Sequence, residues 1–235
     1  MNNRPMNPYL LRIARLLRAA SALAVAGVAL PALAAGGHHA IDDAALLDPG
    51  HCKLESWASR SGPGPLGLLH GAVGCRLGPI EWSLGADQTR VDGTRQRTLG
   101  AQLKWATALT PWLSGGLALA PAYTPTARPR ERSVVVNGLL TGTLSEDLRW
   151  HANLGRTQAD PGGARAWRGG LSVDWAFRPD WQVMTERYRE DGSDFLRSGL
   201  RWQLAQGWTL DASHAWRLRG EGKTASTLGL TFEFE

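Results

Sequence analysis

The stretch DFLRSGLRWQLAQGWTLDASHAWRL, residues 194–218, decides the fold. In its first half Leu196, Leu200, Trp202 and Leu204 share one side of a two-residue alternation, with Arg197, Gly199, Arg201 and Gln203 on the other. After Ala205-Gln206-Gly207 the alternation resumes. A period of two is a strand, and a short Gly-containing break between two such runs is a hairpin. A turn at Gln206 opposes residues whose numbers add to about 412. Arg201 then faces Asp211 and Ser198 faces His214.

Working outward, the same unit recurs over residues 51–235. Twelve strands are predicted near 51–60, 67–77, 79–88, 96–109, 112–122, 133–144, 147–156, 166–177, 181–189, 194–204, 208–218 and 224–234. Helical periodicity is absent except for a short helix expected over Ile41 to Leu47, before Pro49-Gly50. The breaks alternate in length. After even strands they are tight: Leu77-Gly78-Pro79, Thr110-Pro111, Ser145-Glu146, Arg178-Pro179-Asp180 and Ala205-Gln206-Gly207. After odd strands they are longer and charged, as in QTRVDGTRQ, TPTARPRERS, TQADPGGARA, YREDGS and LRGEGK. Short turns at one rim and long connections at the other are the pattern of an up-and-down transmembrane barrel.

A soluble β-sandwich binding a periplasmic ligand would show the same alternation with its faces exchanged. The tryptophans favour the barrel. Trp105, Trp112, Trp150, Trp175, Trp181, Trp202 and Trp208 all lie within a few residues of the tight turns. That placement makes an aromatic girdle at one membrane interface, where amphipathic rings are stable. The tight rim is read as periplasmic.

The N-terminus agrees with export. Residues 1–18 hold Arg4, Arg12, Arg15 and Arg18, an Ala/Leu/Val-rich run follows, and Ala32-Leu33-Ala34 offers a small-x-small cleavage pattern. Residues 1–35 are read as a signal peptide, 36–50 as a flexible periplasmic tail and 51–235 as the barrel. The formal charge of +5 falls to +1 once the four leader arginines are removed, so the basic pI is no argument for nucleic acid. With 43% apolar and 20% charged residues the chain is not a disordered one. A hairpin turning on Ser61–Leu66 opposes numbers adding to about 127, which sets Cys52 against Cys75. In an oxidising compartment that pair is a cross-strand disulfide.

These features resemble Gram-negative outer-membrane β-barrel proteins, over residues 51–235. The last strand, TLGLTFEFE, is similar to the C-terminal assembly signal of that class, with Phe234 as its aromatic and Glu235 following. The resemblance implies outer-membrane location, contact with outer-membrane lipid and lipopolysaccharide, and recognition by the barrel-assembly machinery. The chain also resembles small, uncharacterised proteobacterial barrels that share the start His38-His39-Ala40-Ile41-Asp42-Asp43-Ala44, and that likeness implies no activity.

Chemistry is sparser. Lys53, Lys104, Arg149, Arg168, Arg197 and Arg201 face inward against Glu55, Glu81, Asp174, Glu186, Asp211 and Glu233. This balance predicts lumen ion pairs, Arg201 with Asp211, Arg76 with Glu81, and Arg168 with Glu186, that fix register; they either fill the barrel of a structural envelope protein as an ion-pair network or line a narrow porin-like passage for small solutes. An alternative is a lipid hydrolase using Ser198 and His214 on the outer wall. That pair resembles the arrangement of outer-membrane phospholipase A, but Trp216 stands where its His-x-Ser pattern needs serine, and no orienting acid is evident. Cleavage after Ala35 would begin the mature chain Gly36-Gly37-His38, a square-planar Cu(II) or Ni(II) chelate, whereas cleavage after Ala34 moves His38 out of place. No metal or cofactor is assigned. The six longer connections carry a net +5, a basic rim suited to phosphate-rich lipopolysaccharide. No zinc quartet, phosphate-cradling loop or nucleic-acid stacking platform is present in the sequence.

Overall fold

The computed structural model describes residues 38–235 except 63–66, 92–93, 162 and 164. The leader expected over 1–35 therefore lies outside the described residues. Twelve strands follow in chain order: β1 (Cys52–Arg60), β2 (Leu68–Leu77), β3 (Ile80–Val91), β4 (Thr94–Thr110), β5 (Leu113–Thr124), β6 (Glu131–Thr143), β7 (Leu148–Asp160), β8 (Arg165–Arg178), β9 (Trp181–Glu190), β10 (Ser193–Ala205), β11 (Trp208–Arg219) and β12 (Ala225–Phe234). Each pairs antiparallel with its chain neighbours, and β1 pairs with β12 from Cys52↔Phe234 to Arg60↔Ser226. The sheet is a closed barrel. Closure leaves no unpaired strand edge, the condition for a sheet to span a membrane.

The faces are inside out relative to a soluble protein. Leu84, Leu99, Leu103, Leu117, Leu154, Leu171 and Leu228 are exposed on the outside, while Lys104, Glu81, Glu186, Arg201, Asp174 and Asp211 are buried within. An exterior this apolar is stable against lipid and not against water. The closed barrel with this exterior rules out the soluble sandwich. Trp105, Trp112, Trp175, Trp202 and Trp208 are exposed near the tight rim. Trp181 stacks on Trp202 at 4.9 Å between β9 and β10. The disulfide Cys52–Cys75 is formed, joining opposed residues of β1 and β2 at the same rim.

Three expectations change. No helix forms over Ile41–Leu47; the segment is irregular. The connections after odd strands are shorter than expected, because pairing continues past the apolar band: β9 and β10 are joined by Asp191-Gly192 alone. Both residues have positive φ, 47° and 76°, as a two-residue hairpin turn with Asp-Gly requires. The third change concerns residues 38–47, which are not a flexible tail. His38, Ile41, Asp43, Ala44 and Leu47 are buried inside the barrel.

Candidate functional site: a lumen threaded by the N-terminal segment

An extended segment has one N–H and one C=O per residue to satisfy, and inside a barrel the sheet backbone is already paired with itself. The lumen therefore answers this segment with side chains. At the tight rim the Leu47 N–H donates to Glu81 Oε2 at 3.1 Å, and Arg76 Nη1 donates to the Leu47 carbonyl at 2.7 Å. Three residues further in, the Ala44 N–H donates to Thr141 Oγ1 at 2.7 Å. Asn153 clamps Asp42 from both sides, accepting its N–H at 2.8 Å and donating to its carbonyl at 2.8 Å. The Glu186 carboxylate accepts the N–H groups of Ala40 and Ile41, the latter at 2.9 Å. Deepest in the lumen, His38 Nε2 lies 2.6 Å from Ser213 Oγ, and the His38 carbonyl accepts from Arg197.

Charge and packing lock the same segment. Lys104 Nζ reaches both Asp42 Oδ1 and Asp43 Oδ1 at 2.9 Å. Ile41 packs against Tyr188 and Phe195, whose rings stack at 5.1 Å. Ala44 packs against Ala118 and Leu139. Space for the two histidines comes from inward glycines: a Cβ on Gly229 would lie 3.2 Å from His38 Nδ1, and one on Gly199 would lie 3.5 Å from the His39 ring. Behind the segment, Thr141 Oγ1 meets His151 Nδ1 at 2.8 Å and His151 Nε2 faces Asp174 at 3.2 Å. The His38 imidazole is held neutral, its pKa pushed down to about 2 by burial and then by the nearby His39, Arg197 and Arg201.

Beside the threaded segment a polar cavity of about 270 Å³ remains against the β1–β6 wall. Lys53, Glu55, Trp57, His70, Asp87 and Arg168 line it. Trp57 and His70 stack face to face at 3.5 Å, and His70 Nδ1 lies 2.6 Å from Asp87 Oδ1. A third cluster, Asp48, His51 and Glu233, brings three ligand-type groups together at the tight rim. His51 Nδ1 is 3.0 Å from Glu233 Oε1, which ties the start of the barrel to its last strand.

The residues singled out from the sequence fall as follows. Arg201 Nε donates to Asp211 Oδ1 at 2.8 Å. Arg76 and Glu81 oppose each other on β2 and β3 but do not pair, since both are committed to Leu47 and Glu81 also takes Lys53 at 3.1 Å. Arg168 does not meet Glu186. The β8–β9 register opposes Ser172 to Glu186, so Arg168 falls two steps on and pairs with Glu190 at 2.8 Å, while Glu186 takes Arg197 at 2.8 Å. Ser198 and His214 are opposed on the outer wall yet do not bond each other. His214 Nδ1 turns to Ser226 at 2.8 Å, and Ser198 bonds Thr185 Oγ1 at 3.2 Å and the Met184 carbonyl. The nucleophile–base pair of the hydrolase reading is therefore not assembled. The sequence reading missed Asn153, Thr141 and Tyr188 altogether. Uncharged polar and aromatic side chains at inward, mid-strand positions are the signal that could have found them.

A family signature, described as "Uncharacterised conserved protein UCP029691", matches residues 23–234. The chain belongs to this family. No curated protein matches it by sequence. Among solved structures it is similar to the KdgM porin in complex with disordered oligogalacturonate, with a TM-score of 0.64 at 9% identity, covering 78% of this chain and 99% of that one. It is similar to the NanC porin, with a TM-score of 0.52 at 9% identity, covering 78% of this chain and 99% of the other. It is also similar to outer membrane phospholipase A from Escherichia coli, with a TM-score of 0.53 at 8% identity, covering 78% and 92%. At such identities the shared property is the fold. The family member described here is an outer-membrane-type β-barrel, porin-like in architecture.

Proposed function

We propose that the protein is a narrow outer-membrane channel for small polar solutes whose passage is set by its own N-terminal segment. The observation that carries this reading is the threading of residues 38–47 through the lumen, with Glu81, Thr141, Asn153 and Glu186 each accepting a backbone N–H from it. A segment held by so many separate groups is a built part of the lumen. The remaining cavity of about 270 Å³ suits small molecules on the order of ten heavy atoms and carries both signs of charge, Lys53 and Arg168 against Glu55 and Asp87. Mixed charge at close quarters gives weak selectivity between cations and anions and a preference for small, hydrogen-bonding solutes.

In this reading the tight rim is periplasmic, the charged connections face outward toward lipopolysaccharide phosphates, and β12 presents the signal read by the assembly machinery. The test is single-channel recording in planar bilayers on the mature protein and on a variant lacking residues 38–47. The wild type should pass a small current, and the deletion should raise it several-fold with retention of the heat-dependent gel shift of a closed barrel. Equal, negligible currents from the two folded proteins would refute the channel and leave a structural envelope protein.

A further inference from the structure

On the outer wall of β7–β10 the apolar pattern is broken by basic side chains. Ladder partners put Ala152, Leu171, Arg187, Leu196 and Trp216 in one outward row across β7–β11. Arg187 is exposed in that row, flanked on both sides by leucine, and has no side-chain partner among the described residues. The next row toward the charged rim is Leu154, Gly169, Arg189 and Asp194, with Arg189 held by Asp194 at 3.2 Å. In the row beyond, Arg156 stands opposite Trp167, its guanidinium 5.7 Å from the ring centre. Trp167 is itself 61% exposed. Gly169 lies between Trp167 and Leu171 on this face, so the wall carries no side chain at the centre of the group.

An arginine on the lipid face of a barrel is costly at the midplane, and the cost falls toward the interface. The cost is relieved when a phosphate takes the guanidinium in a two-point hydrogen bond. Arg187 and Arg189 are one two-residue step apart, ~7 Å, and Arg156, two strands across and one row further on, is ~12 Å from Arg189 and ~17 Å from Arg187. Three guanidiniums on that scale match a headgroup carrying more than one phosphate, and Trp167 offers a flat ring suited to a sugar face or an acyl-chain root. A single-phosphate headgroup would engage only one of them.

We infer that the outward face of β7–β9, at Arg156, Trp167, Arg187 and Arg189, is a docking site for the phosphorylated sugar headgroup of lipid A, the membrane anchor of lipopolysaccharide. The inference rests on the membrane-spanning reading with the charged rim outside. Its test is native mass spectrometry of the detergent-solubilised full-length mature barrel after incubation with purified lipid A. The wild type should retain lipid A in a stoichiometric adduct. The double variant Arg156→Leu/Arg187→Leu extends the apolar face and should lose at least about tenfold in retention, and Arg187→Lys should recover part of it. Unchanged retention by the double variant would overturn the site, as would equal retention of phosphatidylglycerol by the wild type. The heat-dependent gel shift, run on the same samples, reports separately whether the barrel itself is intact.

Discussion

Arg76 and Glu81 face each other across the β2–β3 ladder, yet each holds the same third party: Arg76 grips the carbonyl of Leu47 and Glu81 its N–H. An ion pair that a ladder would otherwise close is opened to receive a peptide group. The peptide lies where the N-terminal segment enters the lumen, so the clasp sets where that segment begins its climb. Replacing Glu81 by Gln keeps the shape and weakens the acceptor, while leaving Lys53 short of one carboxylate. Loss of a charged hydrogen bond costs about 1.5–3 kcal/mol. Amide exchange should accelerate at residues 44–47 by one to two orders of magnitude, roughly, with strand amides unchanged. Protection equal to the wild type at those amides would mean the clasp is incidental.

Lys104 presents a sharper case. Its ammonium touches both Asp42 and Asp43, and Asp43 is almost fully buried. Lys104→Met strips the cation from a buried acidic pair, a loss on the order of 3–5 kcal/mol. The N-terminal segment should leave the lumen and bilayer conductance should rise. Adding Asp42→Asn and Asp43→Asn to the same chain removes the stranded charges and should return conductance toward the wild type. A triple variant as conductive as Lys104→Met would show that shape, not charge, seats the segment.

The histidine at the inner end gives a pH dependence with a definite sign. His38 is neutral when seated, its pKa near 2 against an ordinary 6.5. Below 6.5 the imidazole of a withdrawn segment gains a proton that the seated one refuses. Seating is therefore fully supported above about pH 6.5 and weakens up to tenfold per unit below it. Current should climb between pH 7 and pH 5 in the wild type. In His38→Gln, which keeps a hydrogen-bonding group near Ser213, the slope should flatten. A wild-type current flat across that window would rule the mechanism out.

Much of this was legible in the sequence because the barrel repeats one local rule. Alternation marks each strand, tight turns fix the register, and a turn at Gln206 suffices to place Arg201 opposite Asp211. Where two neighbours compete, register alone does not choose. Ser198 and Ser226 both stand beside His214, and the ring takes Ser226. The threaded segment was illegible for a different reason. Its backbone partners sit on β2, β3, β6, β7, β9 and β10, far apart in the chain, so no local period announces them. Ile41, Ala44 and Leu47 recur at intervals of three, which reads as helix, when in fact Ile41 packs on Tyr188 and Phe195, Ala44 on Ala118 and Leu139, and Leu47 is held through its peptide group.

The disulfide separates stability from passage. Cys52 and Cys75 are opposed on β1 and β2, on the outward face, so their bond restrains the hairpin without entering the lumen. Closing a loop of this length in an unfolded chain is worth roughly 3 kcal/mol. Reduction should lower the temperature at which the fast-migrating folded band converts to the slow unfolded one on a gel. Conductance of the reduced, still folded protein should stay at the oxidised value, because Lys53, Glu81 and Arg76, the groups nearest the hairpin that face inward, keep their partners. A change in current on reduction, with the folded band intact, would instead tie the β1–β2 hairpin to the seating of Leu47.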